Sequence, residues 1–228
     1  MCYARSVNDV AKPRETRKER ALQTRRRMLK AAYHLFCTKG YVATTMEAIA
    51  AEAGVAVQTL YFTFHTKGAI LSETSAAAVL GFELWKGPLR EPFDAVESPK
   101  RYSPWWAAFE AEPDARRALG ILVEEGAVIL SRAGALFSAL RGSGDQDVLA
   151  HLEISEQRRV DGYREFLRVL SRKKGGLKPR LSLARATDIL VVLFSGTVYQ
   201  DLHTGRGWSH AECKRFLLDL LAQQLLPA

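Results

Sequence analysis

The side chains best suited to chemistry with a partner lie in the stretch GVAVQTLYFTFHTKGAI, from Gly54 to Ile70. Residues 55–64 carry no charge, although the whole chain has a formal net charge of +8. Short polar and apolar side chains suit the major groove of DNA, where amides pair with adenine and threonines contact bases or thymine methyl groups. The stretch therefore predicts an uncharged recognition helix, with base contacts from Val57, Gln58, Thr59 and Thr63.

Positive charges lie on the N-terminal side of this stretch. Residues 12–30 contain nine lysines and arginines against two glutamates, which together account for +7 of the net charge of +8. A cationic segment of this kind is typical of an arm that neutralises phosphates, so the sequence predicts a basic arm over 1–20 and a phosphate contact at Arg25. A solvated helix end or an expression remnant is the alternative interpretation.

Two further candidates for phosphate contact are Lys67 and Tyr61. Lys67 occupies the first turn of a predicted helix, where the helix dipole disfavours a cation. A phosphate held there by free backbone N–H groups and by Lys67 would remove that conflict. The hydroxyl of Tyr61 can reach a phosphate oxygen, although packing of the ring explains its spacing equally well.

Short helices must position these side chains. Thr16 with Glu19, and Thr44 with Glu47, have the spacing of capping boxes and predict the starts of the first two helices. Gly40 stands where the first helix is expected to end in a left-handed turn.

The next two helices follow directly. Gly54 supplies the turn into a third helix over 55–64, so the second and third helices form a helix-turn-helix. Thr66 is the expected cap of a fourth helix, which runs on toward Trp85. Any pair of helices joined by a glycine shares this spacing, so the turn alone is a weak signal.

The rest of the chain is also helical by pattern. Four prolines between residues 88 and 104 interrupt it, and no strand-like alternation of useful length appears. The prediction is an all-α protein with nine or ten helices. Helical patterns cover 114–132, 134–141, 146–172, 183–203 and a last helix from Ser209, which forms a third capping box with Glu212, while 173–182 is a predicted loop.

The run TTMEAIAAEAGVAVQTLYFTFHTKGAIL resembles the helix-turn-helix of the tetracycline-repressor (TetR) family of bacterial transcription regulators. Its paired threonines, Ala-Gly-Val turn and Thr-Leu-Tyr-Phe-x-Phe followed by lysine carry the resemblance, which covers about 24–71. Ala56 and Val57 depart from the polar residues usual at those positions. The resemblance implies DNA contacts at Thr45, Gln58, Thr59, Tyr61 and Lys67.

The resemblance also implies a division of the chain. A basic arm over 1–20 precedes a three-helix helix-turn-helix DNA-binding domain over 21–66. Residues 67–228 then form a helical domain for regulation, ligand binding and dimerisation.

Members of that family are homodimers that pair their last two helices across a two-fold axis. In this chain those helices are apolar enough to cover more than one small face, although burial within a single protomer is the alternative. The residues expected at the dimer interface are Leu190, Leu193, Phe194, Thr197, Phe216, Leu217, Leu220 and Leu221.

Family members also bind small molecules between the DNA-binding end and the dimerisation helices. Aromatic residues in the second domain can line such a pocket, although aromatics at helical spacing are more often core. The candidates are Trp85, Trp105, Trp106, Phe109, Phe137, Tyr163 and Phe166.

Other classes of function find less support. The five histidines and three cysteines show no metal-binding spacing, and no nucleophile elbow or phosphate loop is present, so the sequence predicts no enzyme, metal or cofactor. No apolar run is long enough to span a membrane, and a cytoplasmic protein is expected. The prediction is a DNA-binding repressor released by a small apolar or aromatic ligand, with a ligand-independent DNA binder or an all-helical enzyme as alternatives.

Overall fold

The structure is a computed structural model that describes residues 16–88, 94 and 97–227. These residues form helices, and their only β-contact is an isolated bridge between Asp114 and Lys174, so the prediction of an all-α fold is confirmed. The helices are α1 Arg17–Lys39, α2 Met46–Ala53, α3 Val57–Phe64, α4 Lys67–Leu80, α5 Glu97–Tyr102, α6 Trp106–Ala111, α7 Ala115–Arg141, α8 Gln146–Leu170, α9 Leu183–Leu193, α10 Gly196–Gln200, a π-helical turn Asp201–Gly205, and α11 His210–Leu225.

Caps define the ends of the first helices. Thr16 and Glu19 form the expected capping box, and Gly54 ends α2 in the left-handed conformation at φ 65° and ψ 43°. The second capping box was expected at Thr44, and this is wrong by one residue. Thr45 caps α2 by accepting from the Ala48 N–H at 3.1 Å, because the buried Thr44 hydroxyl donates instead to the Gly40 carbonyl at 2.7 Å.

Two other helices differ in length from the sequence patterns. Helix α4 stops at Leu80, because Gly81 adopts a φ of 97° and its N–H bonds to the Ala77 carbonyl. Helix α7 runs through Gly134, where a break was expected. A Cβ at Gly134 would lie 3.2 Å from Gly196, so this glycine permits close packing of α7 on α10 and does not end the helix.

The apolar segment 183–203 is not one helix. Phe194 leaves the helical conformation, and Ser195 caps a new helix by accepting from the Val198 N–H at 3.3 Å. The chain continues through α10 into a π-helical turn before α11. The loop expected over 173–182 is present between α8 and α9.

Two hydrophobic cores form within the described residues, and α7 runs through both. The first packs α1–α4 against Trp85, Leu136, Leu140 and Val148. The second joins α6 and the N-terminal part of α7 to α8, α9 and α11. With 27 residues, α7 is about 40 Å long and connects the two ends of the molecule. None of the described helices could cross a membrane.

Candidate DNA-binding surface and ligand cavity

Helix α3 presents one face to solvent and buries the other. Leu60 and Phe64 lie in the first core, whereas Gln58 and Thr59 are exposed, which is the orientation that base reading requires. Tyr61 is 45% exposed. Two predicted contacts are less available: Val57 packs partly against the core, and the Thr63 hydroxyl donates to the Thr59 carbonyl at 2.7 Å.

Phe62 and Val42 are exposed apolar residues that the sequence analysis did not single out. Phe62 is 84% exposed, and Val42, in the loop before α2, is 61% exposed. Phe62 follows Leu60 by two positions, which turns its side chain about 200° away from the buried face. Helical periodicity could therefore have placed Phe62 on the exposed side of α3.

Lys67 has structural partners of its own. Its Nζ donates to the carbonyl oxygens of Tyr41 at 3.0 Å and Thr44 at 3.1 Å, and lies 4.2 Å from the centroid of the Tyr41 ring. These contacts tie the start of α4 to the loop that carries Thr45, the exposed cap of α2. An ammonium group has three donors, so a phosphate contact by Lys67 stays a prediction beside this bracing role.

Several cations of the basic segment bind inside the protein. Arg25 pairs with Glu73 of α4, with Nε 2.9 Å from Oε2, and its guanidinium lies 4.9 Å from the ring centroid of Phe64. Arg26 donates to the carbonyls of Glu83 and Trp85. A phosphate contact by Arg25 would have to share that guanidinium with Glu73. Of the predicted arm, residues 1–15 lie outside the described residues. The exposed cations of α1 are Arg17, Lys18, Arg20, Arg27, Lys30 and Lys39.

A cavity of about 530 Å³ lies between α4, α7 and α8, with the segment 194–197 as part of its wall. Its size falls in the range of small-molecule sites. The structure brings five of the seven candidate aromatics to this wall: Trp105, Trp106, Phe137, Tyr163 and Phe166.

The two other candidate aromatics lie away from the cavity. Trp85 is fully buried in the first core, where its carbonyl accepts from Arg26. Phe109 is buried behind Phe166, with ring centroids 4.3 Å apart. Both residues belong to the core, which was the alternative interpretation. Phe194, expected at the dimer interface, lines the cavity instead.

His151 of α8 is the titratable group that links the cavity to α4. Its Nε2 lies 2.8 Å from the Ser75 hydroxyl, and its ring stacks on Phe137 at 6.3 Å between centroids. Burial, and to a lesser degree the nearby Arg158, lower the pKa of His151 from 6.5 to about 4. The imidazole is therefore neutral at pH 7.

The break between α9 and α10 lies against the cavity. Arg159 donates to the Val191 carbonyl at 2.8 Å, and the Tyr163 hydroxyl donates to the Phe194 carbonyl at 2.7 Å. Burial raises the pKa of Tyr163 to about 12, so the hydroxyl keeps its proton. These two side chains satisfy carbonyls that a continuous helix would have used itself.

Half of the residues expected at the dimer interface belong to the core of the protomer. Leu190, Phe194, Leu217 and Leu221 are essentially fully buried in the second core. Burial within a single protomer, the alternative interpretation, applies to these four. Leu193 and Leu220 are half-buried, whereas Thr197 and Phe216 are exposed. Val192 of α9 and Phe216 of α11 are the large apolar side chains that these two helices leave exposed.

No group of three or more metal-binding side chains comes together in the part of the chain that the structure describes. His34 of α1, one helical turn from Cys37, contacts Glu52 at 2.5 Å between Nδ1 and Oε1.

Helices α2 and α3, joined by the turn at Gly54, have the order of a helix-turn-helix, the class of DNA-binding motif whose second helix lies in the major groove. Residues 28–74 match the family model described as bacterial regulatory proteins, tetR family. The helix-turn-helix domain of this chain therefore belongs to the TetR family. A comparison with curated protein sequences gives no significant match.

Solved structures share the fold over most of the chain. NalD, the secondary repressor of the MexAB-OprM multidrug efflux pump in Pseudomonas aeruginosa, has a TM-score of 0.62 and 21% identity, covering 90% of this chain and 98% of NalD. FadR from Bacillus subtilis, in complex with stearoyl-CoA, has a TM-score of 0.62 and 16% identity, covering 86% and 96%. The SmeT–triclosan complex gives 0.62 and 16%, covering 90% and 92%. At these identities the likeness shows the fold.

Proposed function

We propose that this TetR-family transcription regulator is a repressor that binds operator DNA as a homodimer and is released by a small apolar or aromatic ligand in the cavity. The exposed side chains of α3 read bases, while cations on α1 and the arm contact phosphates. One short helix reads few base pairs, so two copies must meet successive major grooves about 34–36 Å apart.

The observation that carries the proposal is the position of α4, which lines the cavity and also contacts the helix-turn-helix domain. One face of α4 lines the cavity through Ser72, Ser75, Ala76, Val79 and Leu80. At its start, Lys67 holds the loop before α2, and in its middle Glu73 holds Arg25 of α1. A ligand that displaces α4 therefore displaces the helix-turn-helix.

Contacts at the other end of α4 favour movement of the helix as a unit. Arg132 of α7 donates to the carbonyls of Ala78 at 2.6 Å and Val79 at 3.0 Å. His151 contacts Ser75 in the middle of the helix. Because these partners lie on α7 and α8, which form the other cavity walls, a ligand that separates the walls pulls on the middle and the C-terminal end of α4.

The solved structures with the same fold give the ligand part of the proposal its precedent. FadR is solved with stearoyl-CoA and SmeT with triclosan. Both ligands contain large apolar groups, and the aromatic wall of this cavity suits such groups. NalD is a repressor, and repression is the mode we propose here.

The test begins with DNA selected from a random pool by the purified protein. The selected operator is then titrated in the presence of apolar compounds that raise the melting temperature of the protein. We expect at least one such compound to weaken operator binding tenfold or more. Stabilising compounds that never change operator affinity would contradict release by a ligand.

Substitutions at two matched glycines test whether the compound acts by binding in the cavity. Gly162 of α8 lines the cavity and Gly120 of α7 does not. A Cβ at either position would meet no atom of the described residues within 4 Å. Gly162→Leu is expected to occupy cavity space and abolish the response to the compound, whereas Gly120→Leu keeps it. An equal response in both variants would place the ligand elsewhere.

A further inference from the structure

We propose that the effector is a long-chain amphipathic anion whose acidic head group binds at Arg141 and Thr197. The inference rests on the proposed function, since it names the chemical class of the ligand in the same cavity. It follows from the length of the cavity, from the charges on its wall, and from the hydrogen-bond donors of Arg141 and Thr197 at one end.

The cavity is elongated. Its wall follows α8 from His151 to Phe166 and α7 from Leu122 to Arg141. With 1.5 Å of rise per residue, these stretches measure about 22 Å and about 28 Å. A volume of about 530 Å³ spread over such a length leaves a narrow channel. A flexible chain fits that shape better than a bulky fused ring system.

Arg141 and Thr197 supply donors at one end of the channel. The Arg141 guanidinium donates to the Thr197 hydroxyl oxygen, which leaves the hydroxyl hydrogen free to donate in turn. Both residues line the cavity and are exposed. Among the described residues, no carboxylate lies within ion-pair distance of Arg141. A planar guanidinium with spare donors matches a carboxylate or phosphate.

The acidic residue on the wall does not compete for this site. Glu156 binds Arg159 through both carboxylate oxygens, at 2.9 Å and 2.6 Å. Because Glu156 is paired with Arg159, the carboxylate of the wall leaves the charge of Arg141 uncompensated. A ligand with a positive head group would therefore meet like charges, whereas an anion would meet opposite ones.

The rest of the channel offers an apolar path away from Arg141. Ile129, Leu130 and Ala133 follow along α7, and the far end contains Leu122, Trp106 and Phe166. Burial of a methylene contributes about 0.8 kcal/mol, so each added methylene should tighten binding about fourfold until the channel is full. An amphipathic ligand would therefore bind with its head group at Arg141 and its apolar chain directed toward Trp106.

The test compares three probes of equal chain length on the full chain: dodecanoate, 1-dodecanol and dodecyltrimethylammonium. Quenching of tryptophan fluorescence reports binding, because Trp105 and Trp106 line the cavity. We expect dodecanoate to bind at least tenfold more tightly than the alcohol, and the ammonium compound to bind most weakly. Tetradecanoate should bind more tightly than dodecanoate.

Arg141→Gln should weaken dodecanoate binding at least tenfold and leave 1-dodecanol unchanged, because only the anion uses the guanidinium. Arg172→Gln is the matched control, since Arg172 is exposed and does not line the cavity. Equal binding of acid and alcohol, or no effect of Arg141→Gln, would overturn the inference.

The proposed function can fail separately. If none of the three probes binds but another compound releases the operator in a Gly162-dependent way, the anionic class is wrong and the ligand-gated repressor stands. If dodecanoate binds with the expected pattern and never changes operator affinity, the class of ligand is right and release is wrong.

Discussion

The candidate base-reading surface takes its exposed side chains from one eight-residue helix, whereas the cavity takes its wall from segments spread between residues 72 and 197. In the first case, local helical spacing decides which side chains face out. In the second, the outcome depends on how long helices pack, and on a helix break at Phe194 that opens one wall. Substitutions of the exposed α3 side chains should therefore change DNA binding alone, while substitutions on the cavity wall should change ligand binding and stability.

The largest expected effect is on base reading. Gln58→Ala removes an exposed amide that can pair bidentately with adenine, so operator affinity should fall about 10- to 100-fold. The free energy of unfolding should stay the same, because Gln58 is exposed and alanine favours helices. A gel-shift titration and a urea melt measure the two quantities. Gln223→Ala, at an exposed position of α11, is the control, and equal affinity in both variants would remove Gln58 from the interface.

Gly126→Ala tests the cavity side of the comparison. A Cβ at Gly126 would lie 2.5 Å from the buried ring of Phe194, so overpacking should lower the free energy of unfolding by about 1–3 kcal/mol. The base preference of the operator should not change, since α3 lies in the other core. Gly120→Ala has no such contact and should be neutral or stabilising. If Gly126→Ala proves as harmless as this control, Phe194 does not hold the cavity wall in place.

Lys67→Met separates two roles that one lysine can have. Methionine keeps the apolar stem but removes the donors to the Tyr41 and Thr44 carbonyls, so the free energy of unfolding should fall by about 1–2 kcal/mol. Operator affinity should fall too, because Thr45 lies next to Thr44. Lys86→Met, at an exposed position, should change neither. A loss of affinity without any loss of stability would show that Lys67 acts as a phosphate contact alone.

The sequence predicted the DNA-binding domain more closely than the cavity, for reasons that particular residues make plain. Caps and turns at Thr16, Gly54 and Thr66 depend on neighbours a few positions away, so their spacing is readable. Gly134 looked like a break because its partner, Gly196, is 62 residues distant. The bracing contacts of Lys67 likewise join residues more than 20 positions apart. Such contacts leave no local pattern.

The same reasoning explains why two of the aromatic residues predicted to line the cavity belong to the core instead. Helical spacing marks Trp85 and Phe109 as apolar positions, but it does not distinguish a core from a cavity wall, because both present apolar faces inward. Only the packing of α6 on α8, which stacks Phe109 behind Phe166, decides that Phe109 lies away from the cavity. No sequence pattern indicated that His151 would contact α4, since its partner Ser75 is 76 residues away.

His151 should make the stability of the cavity region depend on pH, whereas the uncharged helix α3 should not. Its pKa of about 4 lies below the ordinary 6.5, so the unfolded chain binds more protons below pH 6.5. The contribution of His151 is therefore complete above pH 6.5, and the free energy of unfolding should fall as the pH drops from 6.5 toward 4. Urea melts at pH 7 and pH 5 should show a smaller difference in His151→Asn than in the unmodified protein. His65→Asn, at an exposed histidine, should keep the difference, and an unchanged difference in His151→Asn would exclude His151 as its source.

The smallest expected effect concerns the basic arm. It tests whether phosphate contacts and base recognition come from different parts of the chain. Deletion of residues 1–15 removes the three cations Arg5, Lys12 and Arg14. Each phosphate contact contributes about 0.9 to the slope of log affinity against log salt, so the slope should decrease by no more than about 3. The order of preference among operator variants should stay the same, because phosphate contacts carry no base information. Replacing Arg5, Lys12 and Arg14 by glutamine in the full chain should reproduce the change. An unaltered slope would mean that the arm does not lie on phosphates, and an altered base preference would mean that it reads bases together with α3.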